Sequence, residues 1–374
     1  MTTVFVVNSG SSSIKWELLD AESGSVYNGG IVERIGEPGG GSTDHDDGMQ
    51  QILAKLGDEH PAVVGHRVVH GGAEFTQATV ITDEVERRLD EISVLAPLHN
   101  PENLKGIRAA RAAFGDVPHV AVFDTAFHGT LPPEAYTYAI DADVAREHGI
   151  RRYGFHGTSY RYVAGKTAEL LGRELSNLKL IVFHLGNGAS VCAIDGGRSI
   201  DTSMGMTPLE GLVMGTRSGD IDPGALFHLG RAGMTLPELD QLLNRRSGLL
   251  GMTGTGDMRD VQSAADAGDE NAKAALAVYY HRLRHYLGAY LVALGGADAI
   301  VFTAGVGENN AATRRETVTG LDGFGIELDA AANASSDRGA RDISTPASAT
   351  KVLVVPTNEE LQIAREAVAA ASLG

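Results

Sequence analysis

The chain has 374 residues, 43% hydrophobic and 21% charged, enough apolar material to build two domains of ordinary size. Its 31 Lys and Arg against 48 Asp and Glu leave a formal charge of −17, which argues against nucleic acid or an anionic membrane as partner. The single cysteine, Cys192, excludes an intrachain disulfide and a cysteine-based zinc site. Met1-Thr2-Thr3-Val4 has no basic leader region. The longest apolar stretch, Leu287 to Phe302, is broken by Gly295, Gly296 and Asp298, so it is too short and too polar to span a bilayer. A cytoplasmic location is expected. Any anion bound by so acidic a chain must meet cations gathered locally against the field of the whole molecule.

Taken in chain order, short β-rich runs end in Gly-rich turns. Val4-Phe5-Val6-Val7 leads into Asn8-Ser9-Gly10, Leu180-Ile181-Val182-Phe183 into His184-Leu185-Gly186, and Ala299-Ile300-Val301-Phe302 into Thr303-Ala304-Gly305. Four apolar residues, two more, then Gly make a weak internal repeat. The first two copies continue into second strands, Ile14 to Leu19 and Ser190 to Ile194. Short apolar runs bounded by turn signals fit strands buried on both faces. Ala62 to Val64, Val120 to Phe123 and Lys351 to Val355 add further strands. Helical spacing appears over Asn103 to Phe114, Ser159 to Leu171 with Gly172 behind it, Asn271 to Leu294, and Glu359 to Ala371. Gly36 to Gly48 reads as a solvated loop rather than a metal cluster, despite Asp44-His45-Asp46-Asp47. Ala330 to Thr350 reads as a weak helix and a polar connection. The alternation predicts an α/β fold with mixed or parallel sheets, in two similar halves with a cleft between them, joined near Gly172 to Asn177.

Backbone N–H groups in Gly-rich turns cradle phosphate oxygens. Three such turns on strand ends, with Gly254-Thr255-Gly256-Asp257, point to a nucleotide. Gly165-Lys166-Thr167 is not a phosphate loop, because Tyr160 stands where Gly is required, and no Gly-x-Gly-x-x-Gly follows a strand. Arg67, in Gly65-His66-Arg67-Val68-Val69-His70-Gly71-Gly72, and Arg217, in Met214-Gly215-Thr216-Arg217-Ser218-Gly219-Asp220, sit in loops. There a guanidinium can present its planar fork to a phosphoryl or carboxylate group. The histidines at 66, 70, 99, 128, 156 and 184 lack zinc-ligand spacing and fit donation to a phosphoryl oxygen better. Asp124 ends a strand and Glu359 opens the last helix; either could hold Mg²⁺, which takes few protein oxygens beside substrate phosphates. Asp201 and Asp222 also sit in Gly-rich settings. On the long helix, His281, Arg282 and His285 lie among Tyr279, Tyr280, Tyr286 and Tyr290, which reads as packing or a subunit interface.

Eight motifs in order then carry a resemblance. Asn8-Ser-Gly-Ser-Ser-Ser-Ile-Lys15, Gly65-His-Arg-Val-Val-His-Gly-Gly72, Phe123-Asp-Thr-Ala-Phe-His128, Arg152-Tyr-Gly-Phe-His-Gly-Thr-Ser159, His184-Leu-Gly-Asn-Gly188, Met214-Gly-Thr-Arg-Ser-Gly-Asp220, Phe302-Thr-Ala-Gly-Val-Gly-Glu-Asn309 and Pro356-Thr-Asn-Glu-Glu360 together closely resemble the acetate kinase family, from Val4 to Arg365. Ser9 stands where that family usually has Ala, Tyr160 where it usually has His, and Gly36 to Gly48 looks shortened.

The resemblance implies two RNase H-like domains of the actin-like ATPase type, of duplicated ββαβα pattern with an interdomain active-site cleft. The domains would span 1–173 and 174–359, with a helix over 360–374 packing back on the first. Nucleotide binding and dimerisation would fall to the second. It also implies a Mg²⁺-dependent homodimer, with Mn²⁺ as a substitute ion, that passes phosphate reversibly between ATP and acetate. By matching motif, Asn8 and Glu359 look like the metal-associated residues and Lys15 an ATP contact. His184, Leu185, Gly186, Asn187 and Gly188, with Asp257, Met258 and Arg259 and with Gly305, Val306, Gly307, Glu308 and Asn309, resemble the nucleotide-binding segments. Arg67 would bind the carboxylate and phosphoryl group, His156 and Arg217 match the transition-state stabilisers, and Asp124 the active-site acid. Val69, Leu98, Phe155 and Pro208 match an apolar pocket for the methyl group. Kinases of propionate or other short carboxylates, ATP-switched binding proteins of the actin and chaperone type, and sugar or glycerol kinases are the competing readings.

Overall fold

A computed structural model of the chain describes residues 2–10, 13–36, 40–57, 59–97 and 99–372. Among these residues, twelve strands form two six-stranded sheets. In the first, β1 (Thr3–Ser9), β2 (Ser13–Asp20), β3 (Val26–Glu33), β4 (Val63–Val68), β5 (Thr79–Val80) and β6 (His119–Phe123) lie in the order β3-β2-β1-β4-β6-β5. In the second, β7 (Lys179–Leu185), β8 (Ala189–Asp195), β9 (Arg198–Thr202), β10 (Ala299–Thr303), β11 (Arg341–Asp342) and β12 (Lys351–Val354) lie in the order β11-β12-β10-β7-β8-β9. Reversed, the second order is the first with six added to every number.

The pairing senses repeat as well. An antiparallel three-stranded meander opens each sheet, and its first strand pairs in parallel with the fourth. The duplication therefore covers whole sheets. One expectation is corrected by this: of the three matching Gly-turn runs, only β1 and β7 are counterparts, whereas β10 is the counterpart of β4.

Continuous apolar runs form the inner strands because both faces are covered. Phe5 and Val7 of β1 pack with Trp16, Met49, Ile52 and Phe114. Val4 and Val6 pack with Leu361, Ile363, Ala364 and Ala367 of the terminal helix Glu359–Ser372. Burying each such side chain contributes about 1.5–3 kcal/mol. Gly65 on β4 lets that helix close on the sheet, since a Cβ there would stand 2.9 Å from Ile363 Cγ2. Cys192, in the middle of β8, is fully buried, and burial pushes its thiol well above the usual range.

Contacts divide the chain into one unit of Met1–Gly129, Phe155–Tyr162 and Asn358–Gly374, and another of Thr130–Gly154 and Val163–Thr357. The expected boundary at 173/174 differs from this division at 130–154 and 163–173. Hydrogen bonds explain the difference. Tyr153 and Gly154 donate their N–H groups to Gly205, Thr130 Oγ1 donates to the carbonyl of Ser199, and Arg173 pairs with Asp298. Gly36 to Gly48 is only partly loop: Asp44 caps a helix His45–Leu56, and buried His45 bonds the carbonyl of Gly10 at 2.7 Å. Residues 37–39 lie outside the described set. Gly165-Lys166-Thr167 sits inside the helix Gly157–Leu171, as its reading against a phosphate loop requires.

Candidate active site

In the first unit, polar side chains gather where the parallel strands β1, β4 and β6 end. Asn8 closes β1, Arg67 nears the end of β4, and Asp124 follows β6. Arg67 lays its fork on Asp124, with Nε to Oδ1 at 2.9 Å and Nη2 to Oδ2 at 2.5 Å, and donates from Nη1 to Asn8 Oδ1 at 3.0 Å. Asp124 is 2% exposed. A buried, bidentate pair of this kind is oriented as well as charged. The negative charge of Asp124 keeps the guanidinium firmly protonated against the burial that opposes it.

Two asparagines that the sequence did not single out brace this strand edge. Asn103 donates to the carbonyl of Ser9 at 2.6 Å and accepts from Val69 N at 3.0 Å, tying β1 to the chain after β4. Asn100 makes paired bonds with the backbone of His70. Both lie on the helix Asn100–Ala113, three residues apart and hence on one face. That spacing was the available signal.

His156 has a left-handed backbone, φ +59°, a conformation non-glycine residues hold only where the surroundings dictate it. What dictates it is Gly157, whose N–H bonds the carbonyl of Asp124 at 2.9 Å and whose absent Cβ would lie 2.4 Å from that oxygen. The strand end carrying Asp124 thus fixes the turn carrying His156. Phe155 and Val69 are buried. Leu98 lies outside the described residues. His66 and His128 are internal braces, bonded to His119 and to the Phe155 carbonyl.

The Glu359 carboxylate makes no hydrogen bond or ion pair among the described residues. Burial, with Asp124 and Glu360 nearby, pushes its carboxyl up to about 7 against the pull of Arg67 and Lys15. A carboxylate with no direct ion-pair partner is a fit donor for a divalent cation. Asn8 Oδ1, with one lone pair taken by Arg67, can supply a second oxygen. No cluster of three or more His, Cys, Asp or Glu fit for a metal occurs among the described residues, which suits an ion that takes its remaining oxygens from water and phosphate. Lys15 is engaged by Glu360 at 2.8 Å and Glu17 at 3.4 Å.

In the second unit, a cavity of about 900 Å³ is lined by Gly186, Asn187, Gly215, Asp257, Met258, Arg259, Gly305, Val306 and Asn309, among others. Eight of these nine were expected from sequence. Glycine at 215 leaves room for the Asn187 side chain: a Cβ there would lie 2.0 Å from Asn187 Oδ1 and 3.0 Å from the Gly256 carbonyl. Asp257 caps the helix Met258–Asp266 and accepts from Arg259, and these bonds lower its carboxyl to about 2. His184, Leu185, Gly188, Gly307 and Glu308 do not line the cavity. Leu185 points into the core, and Glu308 accepts from the backbone of Ala304 and Thr357 at 2.8 and 3.2 Å. Gly215, Gly256, Gln262, Tyr279 and Arg338 also line the cavity. The first two lie within motifs quoted above, Gly256 in a turn read as pointing to a nucleotide, whereas Tyr279 reads from sequence as packing.

Arg217 differs from Arg67. Its Nη1 donates to the carbonyl of Pro208 at 3.2 Å and weakly to Met214 Sδ at 4.0 Å. No carboxylate pairs with it among the described residues, and burial, with Arg245 adding to it, lowers its affinity for its proton. Asp201 and Asp222 have structural roles, the first beside Tyr290 and the second capping the helix Pro223–Arg231.

The acetokinase family model matches residues 3–365. An acetate kinase of Leifsonia xyli subsp. xyli is 59% identical, with 100% of both chains covered. The crystal structure of Porphyromonas gingivalis acetate kinase superposes with a TM-score of 0.93 at 41% identity, covering 99% of this chain and 100% of that one. A propionate kinase of Francisella tularensis subsp. tularensis superposes equally, at 38% identity and with the same coverage. With this match running nearly end to end, the chain belongs to the acetokinase family.

Proposed function

We propose that this protein is an acetate kinase, transferring the γ-phosphate of ATP to acetate to give acetyl phosphate and ADP, reversibly. One observation carries the reading: Asp124 is spent on the fork of Arg67, leaving no free base at the end of β6. A sugar kinase needs such a base to take a hydroxyl proton. Acetate does not, because a carboxylic acid of pKa about 4 is already ionised at pH 7.

An acetate oxygen forms a bond to the γ-phosphorus as the bond to the bridging oxygen breaks, and ADP leaves with that electron pair. Arg67 holds the acceptor carboxylate, and His156 and Arg217 neutralise charge on the equatorial oxygens, where most phosphoryl-transfer catalysis arises. By their match to the family's motifs, Val69, Leu98, Phe155 and Pro208 are the residues assigned to the methyl group. The cavity beside Gly186 and Gly305 takes the nucleotide. Asn8 and Glu359 would hold Mg²⁺, which when bound would neutralise charge on phosphate oxygens.

The reading includes a homodimer in the cytoplasm. An apolar groove of about 470 Å³ beside Leu287, Leu291, Val292, Leu321 and Phe324 supports self-association. No helix among the described residues is long and apolar enough to cross a membrane.

Trapping acyl phosphate with hydroxylamine tests the reaction, using acetate, propionate, butyrate, glycerol and no acceptor. Acetate should give the largest kcat/KM. Each added methylene changes it by about 1–3 kcal/mol in transition-state binding. ATP loss that ignores the acceptor, or phosphorylated glycerol, would overturn the proposal.

A further inference from the structure

The loop 203–220 carries both Pro208 and Arg217, and among the described residues no carboxylate holds the guanidinium of Arg217. Its position must come from the loop. Asp220 closes the part of that loop that carries Arg217, residues 211–220, at its neck. Its N–H bonds the carbonyl of Gly211 at 3.0 Å, and its Oδ1 accepts from Gly211 N at 2.8 Å. Its Oδ2 faces outward, accepting from Tyr286 Oη at 2.9 Å and Arg282 Nη1 at 3.2 Å, both on the helix Glu270–Leu294.

The glycines at the neck make this closure possible. Gly211 and Gly219 have φ of +107° and +69°, and a Cβ on either would lie 2.6 Å or less from a carbonyl oxygen. Burial and the adjacent Asp220 hold the Tyr286 phenol well above its usual range, so it remains a donor. At the other flank, Arg152 binds the carbonyls of Thr202, Ser203 and Met204, and Glu210 joins Arg152 to Tyr138.

We propose that Asp220, backed by Tyr286 and Arg282, is the positioning residue for Arg217, pinning the neck of its loop to the long helix. This inference rests on the reading of Arg217 as a group that meets the transferring phosphoryl.

A double-mutant cycle tests it. Asp220→Asn should lower kcat by about 10²-fold, the scale of a misplaced catalytic group, with KM for ATP and the melting temperature close to those of the parent. In an Arg217→Ala background the same change should cost less than about twofold, because nothing remains to be positioned. Equal losses in both backgrounds would mean a general structural role and overturn the inference, as would full activity of Asp220→Asn. If that variant fails to fold, Tyr286→Phe gives the same cycle with a loss of roughly threefold to tenfold, judged by the same rule. Near-normal turnover of Arg217→Ala alone would instead remove the underlying reading of Arg217, and the inference with it.

Discussion

Two arginines, one in each unit, carry opposite designs. Arg67 is satisfied inside its own unit, with its fork on Asp124 and its third nitrogen on Asn8. Arg217 has one carbonyl and a distant sulfur. The first is oriented before any ligand arrives. The second is a half-buried cation with an unmet demand for negative charge, so an anion that reaches it gains what its own chain withholds. This also answers how a chain of −17 can take two anionic substrates: the charge that matters is the local cation left without a counterion.

The largest break in that comparison is Arg217→Ala. It should reduce kcat by about 10³-fold or more, by analogy with other phosphoryl-transfer arginines, while ATP affinity changes little. Steady-state kinetics and nucleotide titration together check this. Asp124→Asn sharpens the other half. It should cost tens-fold in kcat by loosening Arg67, roughly the effect of misaligning a binding group, with a pH profile parallel to that of the parent. A rate climbing steeply with pH through a new ionisation would restore a base role for Asp124.

Next in size is an effect on stability. Glu359 sits at about 7 when folded, above the ordinary carboxylate value of 4.5, so the folded state favours its neutral form. Its contribution is full below about pH 4.5 and lost as pH rises through 7, a change of about 3 kcal/mol. Metal-free Glu359→Gln should therefore be more stable than the parent at pH 8, with the gap closing toward pH 5. Chemical denaturation in chelator at several pH values reads the difference.

The smallest effect concerns Ala304, left-handed at φ +63° where the chain enters Gly305-Val306. Ala304→Gly should relieve about 1 kcal/mol of backbone strain, raising the melting temperature without changing turnover.

The inner strands were legible because β1, β7 and β10 are buried on both faces and so appear as unbroken apolar runs. β3, with Gly29 and Gly30 and mostly exposed, gave no such signal, nor did the short helices of the second unit. Strand-end residues such as Arg67 and Asp124 were legible because their placement is local. Tyr279, Gln262 and Arg338 were not, since only tertiary folding brings them to Gly186 and Gly305. Arg282 and Tyr286 show the limit most clearly. Their spacing on a long helix says packing, and their partner, Asp220, is more than sixty residues away.

Cys192 has one more consequence. The only sulfhydryl of the chain is sealed within β8, held as the unreactive thiol 3.3 Å from Ser199 Oγ, in a strand paired on both sides. Alkylating and oxidising reagents meet it only when that strand comes away. Its labelling rate is accordingly a built-in clock for the opening of the second unit, needing no engineered probe, and an ordinary oxidant has no foothold on the folded molecule at this position.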